Sequence, residues 1–135
     1  MLITRASEYA ILSLIVLAKS GEAMDSEKLS NQLSIPKSFL AKLLQALARK
    51  GILNSYKGVN GGFALALDPK DINMLDIMST VESKGPAVFD CTASTTIESC
   101  PMDGVACCTI WPFFNKLQGK IDTFLKELTL ADILE

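Results

Sequence analysis

Residues 26–67 read SEKLSNQLSIPKSFLAKLLQALARKGILNSYKGVNGGFALAL, and this stretch decides the fold. Ser26 suits the N-cap of a short helix over Glu27–Gln32, with Leu29 and Leu33 turned inward. Three residues then break the pattern, and Pro36 suits the first turn of a longer helix running to Lys50. Along that helix Phe39, Leu40, Leu43, Leu44 and Leu47 form an apolar stripe at helical spacing. Lys37, Ser38, Ala41, Lys42, Gln45 and Arg49 lie on or beside the other face, and Gly51 stops the helix. A short helix, a tight turn and a longer helix with a polar outer face make a helix-turn-helix. The second helix of such a pair enters the major groove of duplex DNA.

After Gly51 the period shortens. Residues 52–56 and 63–67 read as two strands, joined by Lys57-Gly58-Val59-Asn60-Gly61-Gly62, a turn rich in residues that tolerate positive φ. A hairpin directly after a recognition helix is a wing. Its glycines allow close approach of backbone to phosphate or the minor groove, and Lys57 supplies charge. Taken alone, the same hairpin also suits the plain task of closing a small core.

Net charge is −2, which by itself argues against a polyanionic partner. Its distribution argues the other way. Residues 1–70 hold nine Lys/Arg against five Asp/Glu, for +4, and residues 71–135 hold four against ten, for −6. Between Lys28 and Leu67 there is no acidic side chain, but Lys28, Lys37, Lys42, Arg49, Lys50 and Lys57 are all present. A basic patch on an acidic chain is the footprint of a polyanion-binding module, although a solvated helix face has the same composition. The nucleic-acid candidates are Lys28, Lys37, Ser38, Phe39, Lys42, Lys57, Gly58, Asn60 and Gly61.

Working outward, Ser7–Lys19 is a helix apolar nearly all round, ended by Gly21. Asn73 caps a helix from Met74 to near Ser83, and Gly85-Pro86 breaks it. Residues 109–128 return to helical spacing, with Phe114, Leu117, Ile121, Phe124 or Leu125, and Leu128 as the apolar face. That stripe lies beyond the winged module, so a second copy of the chain is the expected cover. A homodimer suits a reader of palindromic sites. The fold class is therefore mainly α with a small β-wing. A winged helix-turn-helix domain spans 1–84, a cysteine-rich cofactor loop 85–108, and a long dimerisation helix with the C-terminal tail 109–135.

The loop is the sharpest clue to what the chain senses. All four cysteines, Cys91, Cys100, Cys107 and Cys108, fall within eighteen residues. Clustered sulfurs reach one point in space, as metal coordination or redox pairing requires. With 49% hydrophobic residues the core needs no covalent staple, so a purely structural disulfide is the weaker reading. No secretory leader or membrane-spanning run is visible, and a cytoplasmic location is expected, where clustered thiols are more often ligands or sensors than bridges. An enzyme is not expected. The chain has no His and no Cys-x-x-Cys opening a helix, and a small electron carrier would have no use for the basic winged region.

The chain resembles the Rrf-type winged-helix transcription regulators, the family of IscR-like and NsrR-like iron–sulfur regulators. The likeness rests on Leu2-Ile3-Thr4-Arg5 and Glu8-Tyr9-Ala10, on Leu33-Ser34-Ile35-Pro36-Lys37-Ser38-Phe39-Leu40, and on Lys50-Gly51-Ile52-Leu53. The wing Gly58-Val59-Asn60-Gly61-Gly62-Phe63, the cysteine loop and the ending Thr129-Leu130-Ala131-Asp132-Ile133-Leu134 complete it. The resemblance implies a homodimeric regulator, repressor or activator, with a 2Fe–2S or 4Fe–4S cluster on three loop cysteines. Counting back from Thr129 aligns the third of these with Cys108, leaving Cys107 as an alternate beside Cys91 and Cys100. The fourth ligand in such relatives is a His after the third Cys or an acidic residue near the partner's N-terminus. Trp111 stands near the first position, whereas Glu8 occupies the second. Glu8 also suits the plain role of a first-turn acid favoured by the helix dipole. Zinc on the same thiolates, or thiol sensing without a cluster, is the chemical rival.

Overall fold

A computed structural model describes residues 4–59, 61–82 and 104–134, with the helix path alone over 104–111. Helix α1 spans Arg5–Ser20, α2 Ser26–Leu33 and α3 Lys37–Lys50. Strands β1, Leu53–Tyr56, and β2, Gly62–Leu65, pair antiparallel. A 3₁₀ turn, Pro69–Asp71, leads to α4, Met74–Val81. Helix α5 spans Gly104–Glu127, and α6, Leu130–Leu134, ends the description.

The caps show why the helices start and stop where they do. Thr4 caps α1, its hydroxyl accepting from the Ser7 N–H, and Gly21 closes it at φ 67° with its N–H on the Leu17 carbonyl. The cap of α2 is Asp25 and not Ser26: its carboxylate accepts from the Lys28 N–H at 2.7 Å, and Ser26 becomes the first helical residue. The turn then reverses on Ser34, a non-glycine at φ 57° whose N–H reaches the Ser30 carbonyl. Ser30 in turn donates its hydroxyl to the Ile35 carbonyl, and Ile35 itself is buried. Pro36 stands at the cap of α3, one residue before the expected place, because its extended ψ of 128° keeps it out of the first turn.

Leu14, Leu29, Leu40, Leu44 and Leu47 meet fully buried between α1, α2 and α3, and Ile77 and Met78 of α4 close the far side. Helix α1 is less enclosed than its composition suggests. Ala10, Leu14 and Leu17 are buried, but Leu12 is exposed beside Arg5, Glu8 and Lys19. Phe39 likewise leaves the α3 stripe and lies at its edge, 39% exposed, its ring edge-on to Tyr9 at 5.7 Å.

The wing is attached by a backbone bridge. Strand β2 pairs Leu65 with Leu53, Ala64 with Asn54, Phe63 with Ser55 and Gly62 with Tyr56, so it begins and ends earlier than the expected 63–67. On its other edge Phe63 exchanges both backbone hydrogen bonds with Met24, at 2.8 and 3.0 Å, immediately before α2. Gly62 makes this possible. Its φ is +140°, and a Cβ there would lie 2.4 Å from the Met24 carbonyl carbon and oxygen and 2.6 Å from the Asp25 nitrogen.

A second bridge binds the C-terminal helix to the same body. Met74 donates to the Leu128 carbonyl and Leu130 to the Ile72 carbonyl, both at 2.8 Å, around the pair Asn73–Thr129. Leu130 is fully buried, Leu125 nearly so, and Ile121 and Leu128 pack against the core. The expected partner-seeking stripe therefore splits. Ile121, Leu125 and Leu128 serve their own subunit, whereas Phe113 and Phe124, a fraction of a turn away, stay 65% and 61% exposed. Helix α5 also starts at Gly104, five residues before the expected 109, and carries Pro112 inside it. Pro112 has no N–H for the carbonyl of residue 108.

Gly62→Ala is expected to lower stability by more than about 2 kcal/mol, because the obstructing atoms are backbone and cannot rotate away. Gly58→Ala, at φ +104° but with nothing within 4 Å, should cost only about 1 kcal/mol. Urea denaturation of both variants checks the difference.

Candidate nucleic-acid interface

Helix α3 presents Lys37, Ser38, Lys42, Gln45 and Arg49 to solvent, while Leu40, Leu43, Leu44 and Leu47 hold its opposite side in the core. The polar face is thus fixed in position by the buried side of the helix, with its side chains exposed. Lys28 is exposed on the neighbouring α2, and its backbone N–H is occupied by the Asp25 cap. Among the described residues Lys28, Lys42 and Lys57 make no ion pair, whereas Lys37 lies 3.6 Å from Glu27. Phe39 sits at the margin of this face and is held there by Tyr9 of α1.

On the wing, Lys57, Gly58 and Val59 are exposed, Val59 completely so. The expected glycine roles divide. Gly61 donates its N–H to the Gly58 carbonyl at 3.0 Å, and a Cβ on it would lie 2.6 Å from the Tyr56 carbonyl oxygen. Gly61 is therefore needed by the turn itself, and Gly62 by the bridge to Met24. Gly58 alone of the three has open space on its outer side, which leaves it as the point of close backbone approach. Asn60 lies outside the described residues.

Cys91 and Cys100 also lie outside the described residues. Cys107 and Cys108 occupy consecutive positions in α5 and not a loop, and consecutive helical positions are turned about 100° apart. Among the described residues no group of three or more metal-ligating side chains comes together. Glu8 is exposed in the first turn of α1 and pairs with Arg5 Nη1 at 3.3 Å. An unexpected contact lies next to it. The Glu82 carboxylate accepts from the Thr4 N–H at 3.3 Å, from the Thr4 hydroxyl, and from the buried Ser7 hydroxyl at 2.6 Å. Glu82, the last described residue before the cysteine-bearing positions of the sequence, is thus held at the same first turn of α1 that carries Glu8. Nothing in the local sequence announces Glu82, because its partners stand more than seventy residues away.

A family model described as Rrf2, iron-dependent transcriptional regulator, matches residues 3–135. A candidate HTH-type transcriptional regulator of Aquifex aeolicus is 28% identical over 135 residues, covering 99% of this chain and 92% of its own. The fold is shared with T. potens IscR at a TM-score of 0.70 and 22% identity, over 98% of this chain and 85% of that one. It is shared equally with CymR, the global cysteine regulator of B. subtilis, at a TM-score of 0.73 and 20% identity, over 98% and 95%.

Lys57→Ala should weaken binding to all duplexes alike and flatten the salt dependence by about one unit of slope. Ser38 and Lys42 face outward from the recognition helix, so substituting either should change discrimination at single base pairs by roughly 1–3 kcal/mol. Fluorescence anisotropy against a panel of duplexes at several salt concentrations separates the two behaviours.

Proposed function

The chain belongs to the Rrf2 family of transcriptional regulators, and from that premise we propose that it is a homodimeric sensor that reads DNA according to the state of an iron–sulfur cluster. That it is a DNA-binding regulator, and not an enzyme, follows from the family. The sensing function is supported above all by the described elements on either side of the cysteine-bearing segment, both of which are bonded to the reading body. Glu82 is held against α1, and α5 leads to the α4 bridge at Leu128–Leu130. A change of ligation between those ties has a direct route to α1 and α3.

Cys91, Cys100 and Cys108 are the proposed thiolate ligands of a 2Fe–2S or 4Fe–4S cluster, soft donors that suit iron and sulfide. Cys107 and Cys108 are consecutive positions of α5, about 100° apart around its axis, so one of them is proposed as the ligand, Cys108, with Cys107 as the alternate. Glu8, supplied across the dimer by the partner subunit, is the proposed fourth ligand, with Arg5 as the cation it leaves. The cluster would supply the chemistry that responds to nitric oxide, oxygen or iron supply. Among the described residues no helix is long and apolar enough to cross a membrane, and a cytoplasmic site of action is proposed.

The second copy is proposed to cover the face of α5 bearing Phe113, Leu117 and Phe124, of which Phe113 and Phe124 stay mostly exposed and Leu117 is half-buried in the single chain. Two recognition helices related by a two-fold axis would then meet a palindromic operator. Phe124→Glu should give monomers by sedimentation with little change in stability, and operator affinity should fall. Ile121→Glu should instead lower stability by several kcal/mol on the order of a buried unpaired charge, because Ile121 packs on its own core.

Anaerobic purification with iron, sulfide and zinc analysis tests the cluster directly. Iron and sulfide in equal amounts, with a visible chromophore lost in Cys91→Ser, Cys100→Ser or Cys108→Ser and kept in Cys107→Ser, is the expected result. Zinc without sulfide, or thiols without metal, would overturn the cluster and leave a zinc or thiol sensor of the same fold.

A further inference from the structure

The basic reading surface carries one built-in counter-charge. Glu27 Oε2 lies 3.6 Å from Lys37 Nζ, with both side chains mostly exposed at 70% and 60%. Glu27 sits in the first turn of α2, where the positive end of the helix favours an acid, and Lys37 is the first residue of α3. From Lys28 to Leu67 the sequence offers no other carboxylate, so Glu27 stands at the edge of an otherwise purely cationic stretch. Among the described residues Lys37 is the one cation of that surface already engaged.

We propose that Glu27 sets the specificity of DNA reading by withholding Lys37 from phosphates. Non-specific binding comes almost wholly from cations meeting phosphates, whereas discrimination comes from hydrogen bonds to base edges. A lysine paired with a neighbouring carboxylate gains little by exchanging it for a phosphate, since one anion replaces another and the carboxylate then faces the strand. A guanine edge offers O6 and N7 as a pair of acceptors only where the sequence places them in register, whereas phosphates accept from the lysine alike on every sequence. An exposed pair is weak enough to open for that exchange. Glu27 therefore lowers affinity for wrong sequences more than for the right one. This inference rests on α3 being the reading helix.

The test is a double-mutant cycle of Glu27→Gln and Lys37→Gln, with Lys42→Ala as a check on the surface itself. Binding is measured against random-sequence duplex and against the best duplex selected from a random pool. Glu27→Gln should raise random-duplex affinity about two- to fivefold, the worth of one exposed pair. It should steepen the salt slope by about 0.9, the share of one extra phosphate contact. The ratio of selected to random affinity should fall, and in the Lys37→Gln background the gain should vanish. A stabilising first-turn acid with no other role would shift the urea midpoint and leave slope and ratio alone. An equal gain in both backgrounds, or no gain in the first, overturns the proposal. If Lys42→Ala leaves duplex binding unchanged, it is the assignment of α3 that fails.

Discussion

The pair of backbone hydrogen bonds between Met24 and Phe63 is the constraint on which the reading surface depends. It joins Met24, just ahead of the Asp25 cap of α2, to the second wing strand, and so ties the helix-turn-helix to the wing. Without it β2 would lose the hydrogen bonds along its second edge, and a two-stranded hairpin by itself is marginally stable in water. The bridge is available only because Gly62 brings its backbone to within contact of Met24 and Asp25. Asp25 then caps α2, and α2 carries Glu27 and Lys28, so one close approach aligns wing, cap and first helix together.

A parallel arrangement fixes the other end. The Asn73–Thr129 bridge lays the last turn of α5 across the start of α4, and buried Leu125 and Leu130 seal it. Fully burying a leucine is worth about 1.5–3 kcal/mol, which sets the scale of that seal. Helix α5 is therefore two things along its length. Its end belongs to the core of its own subunit, while Phe113, Leu117 and Phe124 face elsewhere. Glu82 adds the third tie, connecting the last turn of α4 to the first turn of α1 through Thr4 and Ser7.

Much of this was legible in the residues. The change of period at Gly51, the leucine spacing of α3, the turn glycines Gly58 and Gly61 and the Asn73 cap each have a local signature and lie where they were read, whereas Gly62 opens β2. Most of the misses depend on contacts distant in sequence. The cap of α2 is an exception: Asp25 and Ser26 are adjacent cap-forming residues, and Asp25 takes the role through its local bond to the Lys28 N–H. Phe39 leaves the stripe because Tyr9 of α1 takes its ring. Ile121 and Leu128 turn inward because a strand-like bridge near residue 129 holds the helix end, and no period within α5 encodes that. Helix α5 starts early because residues 104–108 carry no helix-breaking signal strong enough to delay it once the later turns are anchored. The candidate ligands stood out by their clustering in the sequence, where four cysteines fall within eighteen residues.

What unites the reader and the cysteine segment is the claim that one reports on the other. Two sites joined through packed elements typically couple by about 1–3 kcal/mol, which is a change of roughly 5–150-fold in affinity. The direct measurement is the affinity of the chain for a selected duplex at fixed salt. It is made on the protein loaded anaerobically with iron and sulfide, and repeated after the metal is chelated away. A change of about fivefold or more, in either direction, is the predicted result. Equal affinity in the two states would contradict it and leave a DNA reader whose cysteines do not govern its binding.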